Sequence, residues 1–244
     1  MSFNFLQLNK DKTELIIFGN KKKRAKVATG LNAKGFTAKE TVKNLGVIID
    51  SDLNFSSHIK SITKSAYYHL KNISKLRDLM SSKDLEKLIH AFISSRVDYC
   101  NGLLTGLPKK TIKPLQLIQN AAARVLTRTK RTDHITPILK SLHWLPVSFR
   151  IDFKALLLLF KSMNGKGPVY ILDMCQKCTP LRSLRSVEKN LLIRLTVRTK
   201  IGEAAFSYYA VQLWNQLPEN IKNAPTVDSF KSRLMTKLFS DAYS

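Results

Sequence analysis

Acidic residues are scarce in this 244-residue chain: 17 Asp and Glu stand against 41 Lys and Arg, a formal charge of +24 with a pI near 10.1. That imbalance points to a polyanionic partner, either nucleic acid or an acidic membrane surface. Long apolar runs are also lacking. The longest, Ala155-Leu-Leu-Leu-Leu-Phe160, falls far short of the roughly 20 residues a spanning helix requires, so no membrane span is expected. The start, MSFNFLQLNKDK, has no basic region, apolar stretch and small-residue cleavage site of a secretory signal. Cysteine is limited to three residues, which cannot all pair, and an intracellular, reduced chain is the simpler reading, with nucleus and cytoplasm both open. Cys175-Gln-Lys-Cys178 has the spacing of half a zinc site, but a structural site takes four ligands and no His follows His143. Two ordinary thiols in a loop are the simpler reading, and no metal or cofactor is expected.

What is present is the composition of a globular protein, 44% hydrophobic and 24% charged, on a chain long enough for one large core or two modest ones. Glu14–Phe18 reads as a strand closed by Gly19-Asn20, and Leu45–Asp50 as a second, β-branched strand, with NKKKRAK (20–26) as a polar basic connection between them. From Ser56 the period becomes helical: His58, Ile59, Ile62, Ala66, Leu70, Ile73 and Leu76 mark one amphipathic helix over 56 to about 79, with Ser56 or Ser57 as N-cap. A second helix starts at Ser82 and runs to about Leu104, before Gly106 and Pro108. A third spans about 114–128 with Pro114 in its first turn, and others are expected near 134–142, 148–164, 203–214 and 227–239. The fold class is therefore mainly α: a small β-containing head followed by a multi-helix body.

The positive charge is concentrated. Tyr99 through Thr132 contains no acidic residue, while Lys109, Lys110, Lys113, Arg124, Arg128, Lys130 and Arg131 accumulate there. Lys21, Lys22, Lys23 and Arg24 form a cluster in the head, and Arg182, Arg185, Lys189, Arg194, Arg198 and Lys200 a tract interrupted only by Glu188. Within the third helix Gln116, Asn120, Arg124 and Arg128 recur every four residues, so one face would offer amides and guanidiniums to a single partner. Such contacts hold phosphates without reading sequence; the bland alternative is a solvated face.

Several blocks together resemble the C-terminal part of the reverse transcriptases of LINE-type, non-LTR retrotransposons. Met1-Ser2 and Leu6-Gln-Leu-Asn-Lys-Asp-Lys-Thr13 resemble the end of a palm helix and the turn and strand that follow the family's catalytic Tyr-x-Asp-Asp hairpin. Val42-Lys-Asn-Leu-Gly-Val-Ile-Ile-Asp50, with Leu53, Phe55 and His58, resembles the primer-grip hairpin and the next helix. Arg96-Val-Asp-Tyr-Cys-Asn101, Leu117-Ile-Gln-Asn-Ala-Ala-Ala-Arg124, Leu142-His-Trp-Leu-Pro146, Arg150-Ile-Asp-Phe-Lys154 and Leu213-Trp-Asn-Gln-Leu-Pro218 resemble successive blocks of the thumb and helical tail.

The resemblance implies a palm remnant with primer grip over 1–55, a thumb over 56–132 and a tail over 133–244. The family copies RNA into DNA at two Mg²⁺ ions held by palm aspartates, and neither the Tyr-x-Asp-Asp nor an earlier palm aspartate is in this sequence. Asp50-Ser-Asp52 lies instead in the primer-grip connection and is expected to cap a turn. The resemblance makes Lys12 the palm lysine proposed to protonate departing pyrophosphate. It assigns Leu45, Gly46 and Val47 to the primer end and lays the helix of Arg124 along a primer-template duplex. A fragment that binds RNA, DNA or hybrid without polymerising is implied, with a non-enzymatic interaction module as the alternative. His58 to Pro108 also resembles a short N-terminal segment of AlkB-like tRNA-modifying dioxygenases. Iron there would need two His and a carboxylate, and His58, His69, His90, His134 and His143 form no His-x-Asp or His-x-Glu pair.

Two short strands alone are marginal, so residues 1–55 are expected to be loosely held while the helical remainder carries the core. Its expected anchors are Trp144, Trp214, Phe149, Phe153, Phe160, Phe206 and Phe230, with base stacking as the alternative role for the two tryptophans.

Overall fold

A computed structural model describes residue 9 and residues 12–178 and 190–244. The chain divides into two compact units, a head, Met1–Ser61, and a body, Ile62–Ser244. The protein is mainly helical with a small β region near its start, the fold class expected.

In the head, β1 (Leu15–Ile16) and β2 (Ala38–Lys39) pair in parallel, Leu15 opposite Ala38. The strand expected over 14–18 is thus only two residues long, and its partner was not anticipated. Between them the supposed basic connection is a helix, α1 (Lys21–Asn32). Asn20 caps it, its Oδ1 accepting the Lys22 N–H at 3.0 Å, and the Lys, Arg and Ala that follow are good helix formers. No apolar stripe announced it, and no residue of α1 is fully buried. β3 (Thr41–Asn44) and β4 (Val47–Asp50) form an antiparallel hairpin with Val42 opposite Ile49. The strand expected from Leu45 starts at Val47, because Leu45 (φ 45°) and Gly46 (φ 84°) make a two-residue turn whose left-handed backbone matches the twist of the strands.

After β4 the buried Asp50 organises the chain. Its carboxylate accepts N–H bonds from Asp52 (3.1 Å), Asn54 (3.0 Å) and Phe55 (2.6 Å), holding Leu53 and Phe55 in left-handed conformations. Asn54 Oδ1 then takes the Ser56 N–H at 2.8 Å, so Asn54 fills the capping role expected of Ser56 or Ser57. Helix α2 (Ser56–Leu76) follows. His58 is buried, and its Nδ1 accepts the Ile48 N–H at 3.4 Å.

In the body, α3 (Ser82–Ile89), a wide π turn (His90–Ser94) and α4 (Ser95–Asp98) run on without a break. The buried Leu85, Ile89, Ile93 and Val97 recur every four residues. In an α-helix, at about 100° per residue, such a row drifts by roughly 40° at each step; the wider turn returns it to the core. The helix stops at Asp98, short of the expected Leu104, because Cys100 turns left-handed (φ 51°), and Asn101–Leu104 forms one tight 3₁₀ turn. α5 (Lys109–Thr127) starts after Pro108, so Pro114 lies inside the helix instead of in its first turn.

After α6 (Ile135–Ser141), helix α7 (Val147–Met163) forms the centre of the body. Its Ala-Leu₄-Phe run is apolar on most sides, and it packs against α5, α8 (Val169–Met174), α10 (Phe206–Gln216) and α12 (Val227–Tyr243). The helix expected over 203–214 breaks at the extended Ala205 into α9 (Lys200–Ala204) and α10, and α11 (Glu219–Lys222) precedes α12. Phe160 and Phe230 stack with centroids 4.0 Å apart, and Trp214 lies 6.1 Å from Phe230. The Trp214 Nε1–H donates to the Asn190 carbonyl at 2.8 Å, while Trp144 is buried beside His90. Both tryptophans are core anchors and have no free face for a base.

Polar bonds fasten the helices to one another. Arg150 on α7 makes a two-pronged pair with Asp98 on α4, its Nε donating to Oδ1 at 2.8 Å. The buried Gln119 donates to the Leu145 carbonyl at 2.8 Å, and Gln116 Oε1 accepts the Val147 N–H at 2.8 Å. These last bonds join residues on the two sides of position 132, which lie in one compact unit.

Candidate nucleic-acid interface

The face of Gln116, Asn120, Arg124 and Arg128 makes bonds within the protein, and Arg128 remains exposed. Gln116 Nε2 donates to Gln119 and Asn120 at 2.9 and 2.8 Å. Arg124 donates from Nε to the Lys130 carbonyl (3.2 Å) and from a terminal nitrogen to the Asp133 carbonyl (2.9 Å), closing the loop after α5. Arg128, in the left-handed cap of α5, donates to the Arg77 carbonyl at 3.2 Å and lies 3.5 Å from Asp78. A planar fork of donors suits carbonyl and carboxylate acceptors of this kind, and a sequence pattern cannot reveal that they are at hand.

Arg24 in the head follows the same rule. Its guanidinium is largely buried and pairs with Asp52 at 2.8 Å, away from its three neighbours Lys21, Lys22 and Lys23, which are exposed. The carboxylate of Asp50 is committed to three N–H donors and that of Asp52 to Arg24, so the pair does not fit a catalytic Mg²⁺ and supports no metal-dependent step. Among the described residues no group of three or more His, Cys, Asp and Glu side chains is placed to hold a metal ion.

The lysines behave differently. Lys109, Lys110 and Lys113 are exposed at the start of α5, as are Lys130 and Arg131 after its end, and among the described residues none of their side chains has an ion-pair partner. Lys21, Lys22 and Lys23 occupy the first turn of α1. Neither helix has an acidic residue in its first turn, where the positive end of the helix dipole favours one. Each start is therefore doubly positive. Of the second basic tract, Arg182, Arg185 and Lys189 lie outside the described residues; Arg194 donates to the Tyr208 hydroxyl at 2.8 Å, and Arg198 and Lys200 are exposed.

The proposed primer-grip residues divide. Leu45 stands 83% exposed at the hairpin tip beside Gly46, whereas Val47, the first residue of β4, is buried. Of the motif that includes Lys12, Met1–Leu8, Lys10 and Asp11 lie outside the described residues. Asn9 and Thr13 close a turn, the Thr13 hydroxyl donating to the Asn9 carbonyl at 2.8 Å, and Lys12 on that turn is exposed.

One surface went unnoticed in the sequence. Along α2, Lys64, Tyr67, Tyr68, Lys71 and Lys75 are all exposed and share one face at spacings of three and four. The helix contains no Asp or Glu. Attention to the buried stripe of α2 concealed this opposite one.

Elsewhere in the body, burial pushes the carboxyl of Asp152 up to about 6, with the Tyr209 hydroxyl donating to it; the Tyr209 phenol is raised to about 12 by its own burial and by that carboxylate. In the head, burial lowers the pKa of His58. No family model, curated protein or solved structure matches this chain.

Proposed function

We propose that this chain corresponds to the end of the palm, the thumb and the tail of a LINE-type non-LTR retrotransposon reverse transcriptase, and that it holds nucleic acid by its backbone without polymerising. The observation that supports the grip most is the placement of lysines at the starts of α1 and α5. A cation in the first turn opposes the helix dipole by about 0.3–1 kcal/mol, and a phosphate bound there would reverse the sign. Five lysines in such places, with Lys113 one turn on, in a chain of net charge +24, suit a polyanion.

The hairpin with Leu45 and Gly46 at its tip is the shape the resemblance implies for the primer grip. The absence of the Tyr-x-Asp-Asp from the sequence, and the commitment of Asp50 and Asp52 to other bonds, support binding without nucleotide addition. The test is a labelled RNA–DNA hybrid titrated over a salt series, followed by Mg²⁺ and deoxynucleotides. Affinity that falls steeply with salt, with no primer extension, is the expected result. Salt-independent binding or none refutes the grip, and extension of the primer refutes its inertness.

A further inference from the structure

We infer that the exposed face of α2 is a stacking platform for unpaired bases, with Tyr68 and Tyr67 as the rings and Lys64, Lys71 and Lys75 holding the flanking phosphates; this rests on the nucleic-acid reading above and names its single-stranded ligand. Tyr68 is 66% exposed and Tyr67 43% exposed, and they stand side by side on the one helix face. Lys64 lies three and four residues before them, Lys71 four and three after, and Lys75 one further turn along. At about 1.5 Å per residue the row from Lys64 to Lys75 is roughly 16 Å long. Rings between cations, with no acid on the helix, are what a strand of bases and phosphates complements.

Tyr68 also meets the His69 ring in a T-shaped contact, with centroids 5.4 Å apart at 80°, and His69 stacks on Phe92 at 5.3 Å and 26°. Phe92 lies in the wide turn that replaces an α-helical turn there, and the Arg96 guanidinium, 5.9 Å from its ring centre, donates to the Phe92 carbonyl at 2.8 Å. Wide turns of this kind often accompany functional surfaces. The array from Arg96 through Phe92 and His69 gives Tyr68 one fixed ring neighbour on the protein side.

The test uses the full chain, a single-stranded oligothymidylate carrying one 2-aminopurine, and an abasic strand of equal length. Wild-type protein is expected to bind the base-bearing strand about ten-fold or more tighter than the abasic one and to quench the 2-aminopurine. Tyr67→Ala with Tyr68→Ala should lose both the preference and the quenching, keep its helical circular dichroism, and still bind in a salt-dependent way. Tyr67→Phe with Tyr68→Phe should restore both. Equal binding of the two strands by wild type, or a preference that survives the alanine pair, overturns the platform while leaving the phosphate grip standing. If wild type binds neither these strands nor the hybrid, the reading beneath it falls as well.

Discussion

No residue of helix α1 in the head is fully buried, whereas α7 in the body buries Val147, Ile151, Ala155, Leu156, Leu159 and Phe160. The head's buried apolar residues among those described are Val47, Phe55 and Ile59, and polar joints do most of the remaining holding: Asp50 with its three N–H donors, Arg24 with Asp52, and His58 with Ile48. The body rests on a continuous aromatic and aliphatic core centred on Phe160, Trp214 and Phe230. In each region at least one arginine is tied in by its fork while a lysine cluster stays open, although Lys39 pairs with Glu14 and Arg131 is exposed. Arg24, Arg124, Arg128 and Arg150 are tied into the structure, while Lys21–Lys23 and Lys109, Lys110 and Lys113 remain open. Net charge alone does not distinguish cations committed inside the structure from those left open; the bonds of each side chain do.

The contrast between an apolar body and a polar head breaks most visibly at Phe230. Phe230→Ala should cost the body about 3–5 kcal/mol, read from denaturant unfolding followed by Trp214 fluorescence, since it empties one face of the Phe160 stack. A loss below about 1 kcal/mol would mean that this cluster is not the body's keystone. In the head the matching change is Asp50→Ala, which leaves three N–H groups without their acceptor and should cost about 1–3 kcal/mol. Amide exchange should then accelerate across residues 41–59 and remain slow in α7; uniform acceleration would show that the units are not independent.

The smallest effect is in pH, and its sign should differ between the units. His58 has a lowered pKa, so the unfolded head binds the proton more readily, and the head should loosen as pH falls through the ordinary histidine range near 6.5. Asp152 is raised from 3.8 to about 6, so the folded body binds the proton more readily. That contribution is fully present below 3.8 and is lost as pH rises through about 6, so the body should tighten on acidification. Amide exchange at about pH 7.5 and about pH 5, the lower value below the ordinary histidine range and within the window where Asp152 takes up its proton, corrected for intrinsic rates, separates the two, and Asp152→Asn should flatten the body's response. A parallel trend in head and body would contradict both assignments.

Much of the body was legible because its helices carry apolar periods: α2, α6, α7 and α12 fall close to their expected bounds. The head was less so. α1 has no amphipathic stripe to betray it, and the two-residue β1 depends on a distant partner, Leu15 pairing with Ala38. Pro114 misled because a proline suited to a first turn also fits inside α5, where one N–H bond is forgone. The blocks quoted for the resemblance recur at the joints: Asp98 meets Arg150, Gln119 meets Leu145, and Trp214 stacks in the core. The basic site was half legible. Counting charges found the cluster, but the fate of each guanidinium depended on carbonyls and carboxylates that only the fold brings close.

The division between arginine and lysine is tested most directly by salt slopes on one RNA–DNA hybrid. The wild-type chain would be set against a variant with Lys21, Lys22, Lys23, Lys109, Lys110 and Lys113 changed to Gln, and against Arg124→Gln with Arg128→Gln. The lysine variant should show a much shallower slope, by about 0.7–0.9 for each phosphate no longer neutralised, while the arginine variant keeps the wild-type slope and loses stability instead. A slope that collapses with the arginines and survives removal of the lysines would contradict the account.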